Sequence, residues 1–176
     1  MKNEVVHVML KPDTLERGLR DQIVEELEAV AGPVFIAKRM KLTLQQIAAI
    51  YSRFPNPHSR SFVFNYFTSR DTEHLAFLGG EDLHQRIHKM KGRTGSGAGI
   101  RGKYFSNYVH YTKADINEWL QGTSSRAEEI DVEMFGRDIL HVADNQADSI
   151  RGLQAVMGPH FADILRAMSE YPDAQA

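Results

Sequence analysis

The chain has no cysteine among its 176 residues, which excludes disulfides and thiolate metal sites. No apolar run approaches the roughly 20 residues of a membrane span. Nor does one sign of charge dominate. Lys and Arg number 21 against 23 Asp and Glu, for a formal net charge of −2 and a pI near 6.4. A global positive field that would draw the protein onto nucleic acid is therefore excluded, and any anion site must be local. Internal repeats and low-complexity tracts are absent as well. What is present is ordinary for a globular chain, 42% hydrophobic and 25% charged, and its length suits one domain spanning 1–176. A strand-like run, "VVHVMLK", begins close to Met1 and leaves no room for a signal peptide, so the expected location is cytoplasmic.

The run "VVHVMLKPD" predicts a buried strand stopped by proline, and Leu19, Ile23, Val24, Leu27 and Val30 recur at helical spacing until Gly32-Pro33. "VFIAKRMKL" predicts a second strand. Thr43 and Gln46 have the spacing of a capping box for the helix "LQQIAAIYSRF". A helix over "SRSFVFNYFTS", a strand at "HLAFLGG" and a helix over "EDLHQRIHKMKG" follow. Beyond a glycine-rich loop, residues 103–134 read as an insertion carrying one short helix. "DILHVA" predicts a last strand, and two amphipathic helices separated by Gly158-Pro159 close the chain, residues 153–176 reading as a helical extension. Strands that are few, short and widely separated suit an α+β sandwich.

Chemistry concentrates in the second half. "GAGIRGKY" satisfies the G-x-x-x-x-G-K core of a phosphate-cradling P-loop from Gly97 to Lys103. Tyr104 stands where the magnesium-binding hydroxyl belongs, however, and no strand-like run precedes the motif. A polar loop is the better reading, although glycines beside Arg93, Arg101 and Lys103 suit phosphate contact. The charge run "RAEEIDVE" predicts a solvated face.

Three pieces taken together are more specific. "VMLKPDTLERGL" near the N-terminus, "GIRG" after the glycine-rich loop and "GRDILHVAD" near the end occur in the order seen in nucleoside diphosphate kinases. From about Val5 to Leu153 the chain resembles a divergent member of that family. The resemblance implies a ferredoxin-like βαββαβ antiparallel sheet covered by helices. It also implies transfer of the γ-phosphate of a nucleoside triphosphate to a diphosphate through a phosphohistidine, magnesium entering with the nucleotide, and a homo-oligomer, hexameric or tetrameric. His141 matches the phosphate carrier, and imidazole suits that task because an unprotonated nitrogen is available near neutral pH. Lys11, Tyr51, Thr94 and Arg101 match the surrounding nucleotide and phosphate contacts. His88 stands at a phosphate-binding arginine, with Arg86 or Arg93 as substitutes for it, and Asp138 at an asparagine.

Other positions depart from the family. Ala143 replaces a serine, and Gly152 replaces a glutamate that orients the imidazole, so a glutamate restored at 152 is expected to raise the rate unless Asp144 or Asp148 already supplies that contact. Ser59 replaces the base-stacking phenylalanine, with Phe62 the nearest aromatic. These departures leave a second reading open, a catalytically weakened nucleotide-binding module with a regulatory or assembly role. His110 is the rival carrier, because "NYVH" supplies the family's Asn-x-x-His from Asn107. Gly136-Arg137 before His141 and Asp144 after it favour His141. His7, His58, His74, His84 and His160 read as surface or packing residues.

Overall fold

The computed structural model describes residues 3–51, 53–93, 98–105 and 111–171. Its centre is a four-stranded sheet of β1 (Glu4–Leu10), β2 (Ile36–Lys41), β3 (Asp71–Gly79) and β4 (Leu140–Val142). The order is β2-β3-β1-β4, and every neighbouring pair is antiparallel. With the intervening helices this is the expected α+β, ferredoxin-like arrangement. Strand β1 is central and buried on both faces. Val6, Val8 and Leu10 pack with α2 (Arg20–Ala31) and α5 (Leu83–Lys91), whereas Val5 and Met9 face α3 (Leu44–Ile50), α4 (Pro57–Ser69) and α9 (Gln146–Met157). Period-2 alternation thus sends successive residues of one strand into two separate cores.

Local signals place the helices. Thr43 Oγ1 accepts from the Gln46 backbone while the Gln46 side chain accepts from Thr43 N, so the capping box forms at α3. Short α1 (Pro12–Glu16) begins on the proline that stops β1, where a missing N–H leaves nothing unpaired. Gly92 ends α5 at φ 76°, and a Cβ there would lie 2.0 Å from the Ala98 carbonyl oxygen. No helix among the described residues is long and apolar enough to cross a membrane.

Four expectations are corrected. Part of the glycine-rich loop is helical, because α6 (Gly99–Tyr104) starts within it. Residues 103–134 hold two helices, α7 (Lys113–Gln121) and α8 (Ala127–Asp131), followed by a π-turn at Val132–Gly136. The run "RAEEIDVE" is not a solvated face, since Ile130, Asp131 and Glu133 are buried. Asp131 accepts from Ser59 Oγ at 2.5 Å and Trp119 Nε1 at 3.0 Å, and pairs with His58 Nδ1 at 2.5 Å. One carboxylate therefore fastens α7 and α8 to the start of α4, and its burial is tolerable because each oxygen is satisfied. The final helix, α10 (Phe161–Glu170), follows α9 through a 3-10 turn at Gly158–His160. The boundary expected at 153 falls inside α9.

Between β1 and α9 lies a polar seam. His7 Nε2 meets His74 Nδ1 at 3.0 Å, His74 Nε2 meets Thr72 Oγ1 at 2.9 Å, and Thr72 donates to the Met40 carbonyl. Ser149 Oγ accepts from His7 N and meets His84 Nε2 at 3.0 Å. His7, His74 and His84 are thus packing residues, and burial holds His7 near pKa 4 and His74 well below the usual range. The His7 ring lies against α9, where a Cβ on Gly152 would sit 2.4 Å from His7 Nδ1. Gly152→Ala is therefore expected to destabilise by about 1–3 kcal/mol despite alanine's better helix propensity. Urea unfolding would show it, and His7→Ala in the same chain should recover part of the loss. A midpoint equal to that of the parent would refute the clash.

Candidate functional site

The site forms where the C-terminal end of β1 meets the N-terminal end of edge strand β4. Antiparallel pairing sets Met9 opposite His141, and Lys11 N donates to the Ile139 carbonyl at 2.9 Å. Lys11 and Asp138 are thereby brought together, with Lys11 Nζ 3.3 Å from Asp138 Oδ2 and both residues buried. Arg101, from α6, donates through Nη2 to Asp138 Oδ2 at 2.6 Å and to the Leu140 carbonyl at 3.1 Å. Its Nε lies 2.5 Å from Asp138 Oδ1, an ion-pair contact outside hydrogen-bond geometry, which leaves both atoms without a formal partner. Ile139, immediately before β4, adopts φ 40°. That conformation is strained for a β-branched residue, and it is held by the Lys11 N–H and by Thr14 Oγ1 at 2.5 Å, both on the Ile139 carbonyl.

His141 shares its sheet face with Met9, on the side of α3. Its ring centroid is 4.9 Å from that of Tyr51, which also packs against Phe67 and Phe135. The Tyr51 hydroxyl is buried without a partner among the described residues, and burial, reinforced by Asp138, raises its pKa. No group among the described residues hydrogen-bonds the His141 ring. Burial foremost, then Lys11, His7, Lys91 and Arg101, push its pKa well below the ordinary histidine value. The imidazole is consequently neutral at pH 7 and faces a positive field. This combination favours a nucleophile approaching an anionic electrophile.

The structure therefore gathers His141, Lys11, Tyr51, Arg101 and Asp138 into one place. His88 joins them differently from expectation, because its Nε2 donates to the Ala143 carbonyl at 3.0 Å and is not open to a phosphate. Asp138 is committed to Lys11 and Arg101. Thr94 and His110 lie outside the described residues. Ser59 is buried under Asp131, and Trp119 completes the cover. The position of the expected base-stacking ring is thus filled from within the chain. Gly152 accommodates His7, so the expectation that glutamate at 152 would help is reversed: the side chain would collide with that ring. Lys103 pairs with Glu26 of α2 at 2.5 Å, and helix α5 precedes the glycine-rich stretch, so the strand required ahead of a P-loop is missing.

Sequence reasoning missed Lys91 and the seam around His7. Lys91 sits one turn beyond His88, a spacing that could have singled it out.

Comparison with solved structures decides the fold. The chain superposes on nucleoside diphosphate kinase from Encephalitozoon cuniculi with a TM-score of 0.63 and 18% identity, over 90% of this chain and 91% of that one. The enzyme from Borrelia burgdorferi, a transition-state mimic with bound vanadate and ADP, gives 0.64 and 18%, over 90% and 89%. This is the nucleoside diphosphate kinase fold. A family protein from Babesia bovis gives 0.63 and 16%, over 89% and 90%. No family model matches the sequence, and no curated protein matches it.

Burial lowers Lys11 and Lys91 each to about 8, below the ordinary lysine range. Between about pH 8 and 10 the unfolded chain then binds more protons than the native one, so these two groups make the protein more stable as pH rises. Affinity for inorganic triphosphate should fall over the same interval as the lysines lose charge. Urea titrations and calorimetry at pH 7.5, 8.5 and 9.5 would record opposite slopes. Parallel slopes would contradict the assignment.

Proposed function

We propose that the protein transfers the γ-phosphate of a nucleoside triphosphate to a nucleoside diphosphate through a phosphohistidine at His141. The observation that carries this reading is a neutral imidazole, unpartnered among the described residues, within the field of Lys11 and Arg101. An unprotonated ring nitrogen attacks the γ-phosphorus, the bond to the β,γ-bridging oxygen breaks, and its electron pair leaves with the diphosphate. An incoming diphosphate then attacks with its terminal oxygen, and the N–P bond breaks to restore the imidazole. Lys11 and Arg101 balance phosphate charge, as positioning and electrostatics dominate phosphoryl transfer. The buried Ser59 leaves no stacking ring at that point, so transfer should be indifferent to the base.

Magnesium would enter with the nucleotide. Among the described residues no group of three His, Asp or Glu converges as a metal site, and Asp138 is already paired with Lys11 and Arg101. The chain's own residues thus fit a metal brought by phosphate oxygens rather than one held by carboxylates. A cytoplasmic protein with 103–134 as an insertion completes the reading. A homo-oligomer, hexameric or tetrameric, is part of it too. Light scattering should report a multiple of 20.0 kDa, and a monomer at micromolar concentration would remove the assembly from the proposal.

A second reading has its own support. Gly152 holds no carboxylate for the imidazole, and His7 occupies that space, as a nucleotide-binding module that has lost efficient transfer would allow. Incubation with γ-labelled triphosphate separates the two. Transfer predicts a protein-bound label that is labile to acid, stable to alkali and released by diphosphate. His141→Ala should abolish it, while His110→Ala should retain most of it. Turnover should be slow, because an imbalance in orienting a reacting group costs on the order of a hundredfold. Binding without label would favour the module, and loss of label only in His110→Ala would move the carrier.

A further inference from the structure

Helix α5 runs beside β4, the edge strand of the sheet. Three of its residues, His84, His88 and Lys91, follow one another at helical spacing along one face. The first two have partners across that face, His84 with Ser149 Oγ at 3.0 Å and His88 with the Ala143 carbonyl at 3.0 Å. The next residue after Lys91 is tied to the site as well, since Arg101 Nη1 reaches the Gly92 carbonyl at 3.5 Å. Lys91 is thus fixed between an anchor two residues past His141 and the arginine on its other flank. Among the described residues it has neither an ion pair nor a hydrogen bond of its own, yet its charge acts on His141, Arg101 and Lys11 as well as on the carboxylates of Asp138 and Asp144, which do not outweigh its burial. Desolvating an ammonium beside other cations is unfavourable unless an anion joins them.

The geometry points to Lys91 as a phosphate-binding residue that takes over, from the next turn of α5, the contact a cation at position 88 would make. The ligand is the terminal part of a triphosphate chain, whose charge suits the shared field of Lys11, Arg101 and Lys91. His88 serves instead as a positioning residue that pins α5 to β4 through the Ala143 carbonyl. This inference rests on the transfer reading for the identity of the ligand, and it concerns residues to which that reading gave no role.

Calorimetry on the full chain tests it with ATP, AMP and inorganic tripolyphosphate. Lys91→Met should weaken ATP and tripolyphosphate by roughly tenfold to a hundredfold, the range of a charge-assisted hydrogen bond, and should affect AMP much less. Lys91→Arg should recover most of the loss, which a merely structural role would not produce. Circular dichroism and unfolding midpoints near those of the parent would establish that Lys91→Met is folded, and if it is not, Lys91→Gln serves with the same expected loss. A folded variant that binds tripolyphosphate within about twofold of the parent overturns the assignment. That result, with the parent still taking label at His141, sinks Lys91 alone. A parent that binds no triphosphate sinks the transfer reading with it.

Discussion

The buried carboxylate of Asp138 is the constraint around which the site is built. It receives Lys11 from the end of β1 and Arg101 from α6, two cations that would otherwise repel each other in a poorly solvated place. Removing one partner of such a pair leaves an uncompensated charge, a defect of about 3–5 kcal/mol. Asp138 therefore joins two elements that are distant in sequence and holds their cations beside His141. At His141 the field of Lys11, Lys91 and Arg101 leaves a positive surplus. That surplus lowers the histidine's proton affinity, and a phosphate would complete the balance.

The same junction stores backbone strain. Ile139 is held at φ 40° because its carbonyl is claimed by both the Lys11 amide and the Thr14 hydroxyl. Rigid presentation of His141 thus comes from main-chain contacts one and two residues earlier. Side-chain support from α9 is limited by His7. The histidine is fixed at its root, while its ring packs against Tyr51 with no hydrogen bond among the described residues, a distribution that differs from support by a glutamate at 152.

Much of this was legible in the residues themselves. The unbroken apolar alternation of β1, the Thr43–Gln46 box and the glycine stops at Gly32 and Gly92 are local signals, and each marks the element it was expected to mark. "KPD", "IRG" and "GRDILHVAD", in that order, carried the resemblance whose ferredoxin-like sheet the structure has. Features that depend on partners across the fold were not legible. "RAEEIDVE" looks solvated until Ser59 and Trp119 are seen to satisfy Asp131. Gly152 looks like a loss until His7 is found in the space. Lys91 belongs to no motif, and only the helical turn from position 88 relates it to the site.

The seam beneath the site has a direction. Thr72 has one hydroxyl proton, and the Met40 carbonyl takes it, so His74 must carry its proton on Nε2. A neutral His74 then receives at Nδ1, His7 must donate from Nε2, and His7 Nδ1 is left bare toward Gly152. A single rotor at the edge of β3 thereby dictates the tautomers of two imidazoles in succession, like a row of gears with one possible sense of rotation. The row ends on a lone pair, so even with room made for its atoms a carboxylate at 152 would meet an acceptor where it needs a donor.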